Sequence, residues 1–193
     1  LLARENKKFR YVDVRKGGRA SQFESAIEWL RKSGLVHPVV NITTSKLRLS
    51  GYSDNRKFKL YIMESGLLGA MLDVASSTIV TGDKLFSEYC GAFVENYVVT
   101  ELVKCGFEDL YYWTSGGEAE VDLILAHRDR IYPLEIKSGM SRRTKSIRVY
   151  AMKHNPSHLF RTSPRNCTRD GDMTNIPLYA IARFSDVVDR TCR

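Results

Sequence analysis

AEVDLILAHRDRIYPLEIKSG, residues 119–139, decides how this chain folds. Side chains alternate faces along a strand, so Val121, Leu123 and Leu125 share one face of a first run, and Tyr132, Leu134 and Ile136 share one face of a second. The two apolar faces coincide in an antiparallel hairpin when a turn across 127–130 pairs residues whose numbers sum to 257. That register sets Asp122 opposite Glu135 and Glu120 opposite Lys137, with Cβ atoms roughly 4.5–5.5 Å apart. A one-residue slip would bury the charges and expose the leucines. Pro133 has no N–H to give a ladder, and so predicts an edge position or an irregular strand.

Two carboxylates about 5 Å apart repel by about 3 kcal/mol at an effective dielectric of about 20. Lys137 offsets part of this, and a divalent cation would offset all of it. Mg²⁺ suits such a site, being held by one or two carboxylates, waters and substrate phosphate, with Mn²⁺ as a substitute. Metal-assisted phosphodiester cleavage needs these parts, with the lysine beside the attacking water and the developing charge. The alternative is an ion-pair network on a solvated sheet face. A third carboxylate, Glu95 in CGAFVENYVVTELV (90–103), has Ala92, Val98, Val99 and Leu102 as helical neighbours. It therefore points along an apolar face, where carboxylates are seldom buried unless paired or metal-bound. The expected site is Asp122, Glu135 and Glu95 as metal ligands, with Lys137 as the fourth catalytic residue.

Upstream, SQFESAIEWLRKS (21–33) predicts a helix. Ser21 with Glu24 forms a capping box, Phe23, Ala26, Ile27 and Leu30 form the apolar stripe, and Gly34 is the stop. Strand-like runs 35–43 and 57–63 follow, separated by a polar excursion, which makes half of a winged-helix module. DVASSTIVTGD (73–83) reads as a boundary, dividing the chain into a winged-helix-like lobe, 1–79, incomplete at its N-terminus, and a second lobe, 80–193. In the second lobe a helix is expected over about 83–104 with Gly106 as its stop, then strands at 110–113, 120–126 and 131–137. A helix started by Ser141 follows over 141–154, then strands at 158–163 and 177–182. This alternation gives an α/β (α+β) fold with a mixed sheet flanked by helices.

The chain has 193 residues, 43% of them hydrophobic, enough for a real core. No apolar run approaches the roughly 20 residues that span a bilayer, and no secretory leader opens the sequence. A cytoplasmic protein with no membrane partner is expected. The opening residue is Leu, which suggests a piece of a longer polypeptide. Cys90, Cys105, Cys167 and Cys192 lack metal-ligand spacing and read as ordinary thiols. The two tryptophans, Trp29 and Trp113, with Tyr111 and Tyr112, are expected in the core rather than stacked on bases. The net charge is +8, and residues 137–170 hold nine Lys or Arg against one acid, leaving 21 of each sign elsewhere. So concentrated a field favours a polyanion such as DNA, with Arg142, Arg143, Lys145 and Arg148 gripping its backbone. A solvated, solubilising face is the alternative reading of that charge.

Asp122, then Glu135-Ile-Lys137, preceded by Glu95 on a helix, resembles the PD-(D/E)XK nuclease superfamily, whose restriction-endonuclease-like core has a similar order of elements. A longer set of strings is more specific: KFRYVDVRKGGRA (8–20), FKLYIMESGLLGAML (58–72), GAFVENYVVTEL (91–102), LYYWTSGGEAEVDLIL (110–125), YPLEIKSG (132–139) and KSIRVY (145–150). Together they resemble the C-terminal region of unknown function that follows a P-loop ATPase domain of the AAA type in many bacterial and archaeal proteins. The resemblance implies an N-terminal ATPase domain in the full-length chain as a partner. The sequence carries no G-x-x-x-x-G-K-[ST], so no nucleotide is expected to bind here. The function expected is that of a DNA-binding, nuclease-like region with Mg²⁺-dependent phosphodiesterase activity; the alternative is a non-catalytic regulatory or protein-interaction module.

Overall fold

Two of the described helices end where glycine lets the backbone turn left-handed. A computed structural model describes residues 9, 20–74, 84–141 and 143–192. Helix α1 (Ala20–Lys32) stops at Gly34, φ +73°, with Leu35 N bonded to Leu30 O and Gly34 N to Arg31 O, both 3.0 Å. Helix α3 (Lys84–Lys104) stops in the same way at Gly106, φ +91°, where Phe107 N reaches Leu102 O and Gly106 N reaches Val103 O. Both are Schellman closures, in which the residue after the helix must be left-handed. Helix α1 already includes Ala20, one residue before the Ser21 at which the pattern places its cap, and alanine extends a helix at no propensity cost.

The remaining elements are strands β1 (Val36–Ile42) and β2 (Ser53–Ile62), helix α2 (Ser65–Met71), strands β3 (Leu110–Thr114), β4 (Glu120–His127) and β5 (Arg130–Ile136), helix α4 (Lys145–His154), strands β6 (Leu159–Ser163), β7 (Thr168–Asp170) and β8 (Met173–Pro177), and helix α5 (Phe184–Thr191). The strands form one mixed eight-stranded sheet in the order β2-β1-β3-β4-β5-β6-β8-β7. It has parallel pairs at β1–β3, β5–β6 and β6–β8, and antiparallel pairs at β3–β4, β4–β5 and β7–β8.

Two compact units divide the chain. One holds the described residues up to Pro38 with Lys57–Thr100, the other Val39–Arg56 with Glu101–Arg193, so the expected boundary near residue 80 falls outside the described residues. In the first unit α3 is fastened to β2 by Asn96, which accepts from Ile62 N at 2.8 Å and donates to Ile62 O at 3.1 Å, standing in for a strand partner. Phe23, Ile27 and Leu30 of α1 line an apolar hollow of about 450 Å³ with Leu60, Ile62 and Leu68. Trp29 is 65% exposed, contrary to its expected core position. It lies about 100° around the helix from that stripe.

In the second unit, α4 covers one sheet face through Ile147 and Tyr150, packed with Trp113, Ile124, Leu159 and Met173. Trp113 is fully buried and meets Tyr150 edge-on at 5.3 Å. Burial raises the Tyr150 hydroxyl pKa to about 12, against a hydrogen bond with Ser45. On the other face Phe160 stacks edge-on with Tyr132 and with Phe184 of α5. The tail of the sheet differs from expectation. Residues 178–183 form a 3-10 turn rather than a strand, since Pro177 ends the β8 ladder at Ser163. The hairpin β7–β8 turns at Gly171-Asp172, with Gly171 at φ +58° as the first turn residue, where a two-residue hairpin loop favours glycine. Helix α4 begins at Lys145, four residues after the expected Ser141, whose Oγ instead accepts from Arg143 N at 3.3 Å. Among the described residues no helix is long and apolar enough to cross a membrane. All four cysteines are free thiols.

Candidate active site

The register of the acidic hairpin is the one its pattern demands. Leu123 pairs with Leu134, Leu125 with Tyr132 and His127 with Arg130, every sum being 257, around a two-residue turn with Arg128 at φ +53°. Pro133 neither bulges the ladder nor marks an edge, for it pairs with Ile124 in a strand flanked on both sides. Lys137 N bonds to Thr162 O at 2.9 Å, so odd-numbered amides of β5 face β6. Pro133 lies on that side one residue before the β5–β6 ladder starts at Leu134, where no donor is needed.

The irregularity falls instead on β4. Tyr111 pairs with Ile124 but Trp113 with Val121, so β4 carries one extra residue at Asp122–Leu123. Bulges of this kind re-aim a side chain. Here the Asp122 carboxylate accepts from Ile136 N at 2.7 Å, taking up the amide that a continued ladder would have paired. Asp122 thus sits against the peptide that follows Glu135, rather than in the plain cross-strand pair its spacing predicts.

Glu135 is 5% exposed, which excludes a solvated sheet face at that position. Its Oε1 lies 2.6 Å from Lys137 Nζ. Its Oε2 is buried without a hydrogen-bond partner, an orphaned anionic oxygen of the kind a hard cation satisfies. Arg161, 8% exposed, is its register partner on β6 and next in the row comes Asn175 on β8. Sequence reasoning counted Arg161 only as charge and missed Asn175; Arg161 alternates with Leu159 in a strand-like run, but nothing local ties that run to Glu135.

Glu95 belongs to the first unit. Its Oε2 accepts from Tyr61 Oη at 3.0 Å and lies 4.0 Å from Nζ of the buried Lys59. Ala92, Val98, Val99 and Leu102 around it are buried, as the helical spacing predicts. Among the described residues no group of three or more His, Cys, Asp or Glu is placed to hold a metal ion. Asp122 and Glu135 would supply two carboxylates, within the one or two that Mg²⁺ takes from protein. Of the expected backbone grips, Arg143 and Lys145 are exposed, Arg148 is bonded to both oxygens of Asp172 at 2.8 and 2.6 Å, and Arg142 lies outside the described residues.

Fold and hairpin together define a mixed α/β protein with an acidic cluster at the edge of a β-bulge. Residues 90–181 match the family model described as a domain of unknown function, DUF4143, and residues 1–78 match a second, DUF8612, also a domain of unknown function. No curated protein and no solved structure matches the chain.

Proposed function

We propose that this chain is the DNA-acting, nuclease-like region of an AAA-type ATPase, with α1 and the β1–β2 hairpin as a winged-helix-like part and the unit around β4–β5 as a PD-(D/E)XK-like part. The buried Glu135 carboxylate carries the reading, with Lys137 on one oxygen, an orphaned second oxygen and Asp122 bonded to the next peptide. Asp122 and Glu135 would hold Mg²⁺, which would supply an activated water and neutralise phosphate charge. Lys137, partly exposed, donates to the water or to the non-bridging oxygen on which charge develops. Glu95, the third carboxylate the sequence pattern offers, lies in the first unit and is oriented there by Tyr61 and Lys59. The ATPase domain and DNA are the partners implied.

A second reading is favoured by one observation: Lys137 and Arg161 already stand beside Glu135, so the acidic pair is compensated without any cation. The chain is then a non-catalytic regulatory or protein-interaction module of the ATPase. Incubating the full chain with supercoiled plasmid and Mg²⁺ or Mn²⁺ separates the two. Nicking is expected to fall about 10²-fold or more in Lys137→Ala, the range for a group that moves a proton or stabilises charge. Nicking unchanged in that variant would mean a contaminant, and no nicking with no Mn²⁺ binding would leave the module.

A further inference from the structure

Lys137 is the first residue past β5, and its backbone and side chain are held differently. Its N donates to Thr162 O at 2.9 Å, which pins the backbone, while its partly exposed side chain ends with Nζ 2.6 Å from Glu135 Oε1. We propose that this ammonium occupies the cation seat of Glu135, so that Lys137 and a divalent cation bind the carboxylate in alternation, and that the exchange releases the amine toward solvent. The inference rests on the metal-site reading above and adds its regulation: one of the site's own side chains closes it to metal. Glu135 is almost wholly buried, and a buried charge is costly unless paired. Lys137 answers Oε1, whereas Oε2 is buried with no hydrogen-bond partner among the described residues. The ammonium therefore matches half of the carboxylate, and a hard, oxygen-seeking cation matches it better.

The two cations exclude one another. Mg²⁺ binds oxygen at about 2.0–2.1 Å, so an ion on this carboxylate would stand within a few ångströms of an ammonium 2.6 Å from Oε1. Like charges that close repel strongly where burial lowers the effective dielectric. The lysine is the member that can leave. Its ammonium is a compact point charge on a flexible stem, whereas a guanidinium would grip both oxygens with a rigid fork. The bend after β5 leaves room for the swing, since a Cβ added at Gly139 meets nothing within 4 Å. Arg161, the register partner of Glu135, is tied through Nε to Asn175 and has no such freedom. The Asp122 carboxylate, bonded to Ile136 N, flanks the peptide that follows Glu135, so a second carboxylate stands by the seat that Lys137 vacates.

The test is Mn²⁺ binding to the full chain, read from the loss of the free-ion electron paramagnetic resonance signal. The parent is compared with Lys137→Met, which keeps the stem and removes the charge. Binding is expected to tighten at least tenfold in that variant. In Lys153→Met, which removes a cation of α4 away from Glu135, it is expected to change less than twofold, which separates exchange from the general field of the unit. Circular dichroism checks the fold, and Lys137→Gln serves if Lys137→Met does not fold. The second readout is the amine itself. Acetylation of Lys137 by limiting acetic anhydride, followed by mass spectrometry, is expected to rise at least threefold when Mg²⁺ saturates the parent chain. Equal Mn²⁺ affinity in the parent and Lys137→Met proteins, or unchanged acetylation at metal saturation, would overturn the exchange and leave the metal site in place. Mn²⁺ bound by neither protein overturns the metal reading and the exchange with it. Mn²⁺ bound by Lys137→Met and not by the parent supports the exchange, with the balance lying on the lysine.

Discussion

Asn175 shows how much one side chain holds. It makes four hydrogen bonds from a buried position, to Arg161, Ser163, Arg165 and Asn166. Asn175→Ala would leave the Arg161 Nε and two loop carbonyls without partners, and each buried unsatisfied group costs about 1–3 kcal/mol. A loss of at least about 2 kcal/mol in urea unfolding is expected; a loss below about 0.5 kcal/mol would mean that water replaces the amide. Asp122 carries a different lesson. Its alternation with Leu123 was legible, but the bulge that turns its carboxylate to the Ile136 amide was not, because that bulge arises on the β3 side of the strand.

The clearest local signals belonged to whole elements. The stops of α1 and α3 lay in Gly34 and Gly106, and both are left-handed with no atom within 4 Å of an added Cβ. Substitution there therefore costs backbone energy alone, with no clash. Gly106→Ala is expected to lower stability by about 1–2 kcal/mol, read as a drop in thermal midpoint. A neutral result would mean the α3 terminus rearranges without loss. The β4–β5 register was equally legible, since alternate apolar residues exclude a one-residue slip and a short turn selects the pairing that is found. The β7–β8 hairpin was missed although Gly171-Asp172 announces it, because three exposed residues make a strand too short for periodicity to reveal.

For the molecule as a whole, buried imidazoles tie stability to pH. Burial pushes His37, His154 and His158 below the usual histidine range; at His158 nearby Arg169 adds to this and Asp172 opposes it. The unfolded chain binds these protons near pH 6.5, whereas the folded chain binds them only at lower pH. Their contribution is thus complete above about pH 6.5 and is lost as pH falls toward the folded values. Urea unfolding at pH 7.5 and 5.5 should show the decline, with a shallower one in His158→Gln, whose ring nitrogen otherwise meets Thr174 at 2.9 Å. An identical decline in that variant would assign the acid sensitivity to the carboxylates.

By itself the sequence determined the hairpin, its register, the helix stops and the buried Trp113, because each follows from a period or a backbone preference read within a few residues. Only the tertiary structure decided that Arg161 lies beside Glu135, that Asn175 aims it, and that Trp29 faces outward. The physical reason is that parallel pairs such as β5–β6 and β6–β8 join runs separated by a helix or a loop and hairpin, so their register is fixed by how α4 packs on the sheet. No short-range pattern encodes that distance.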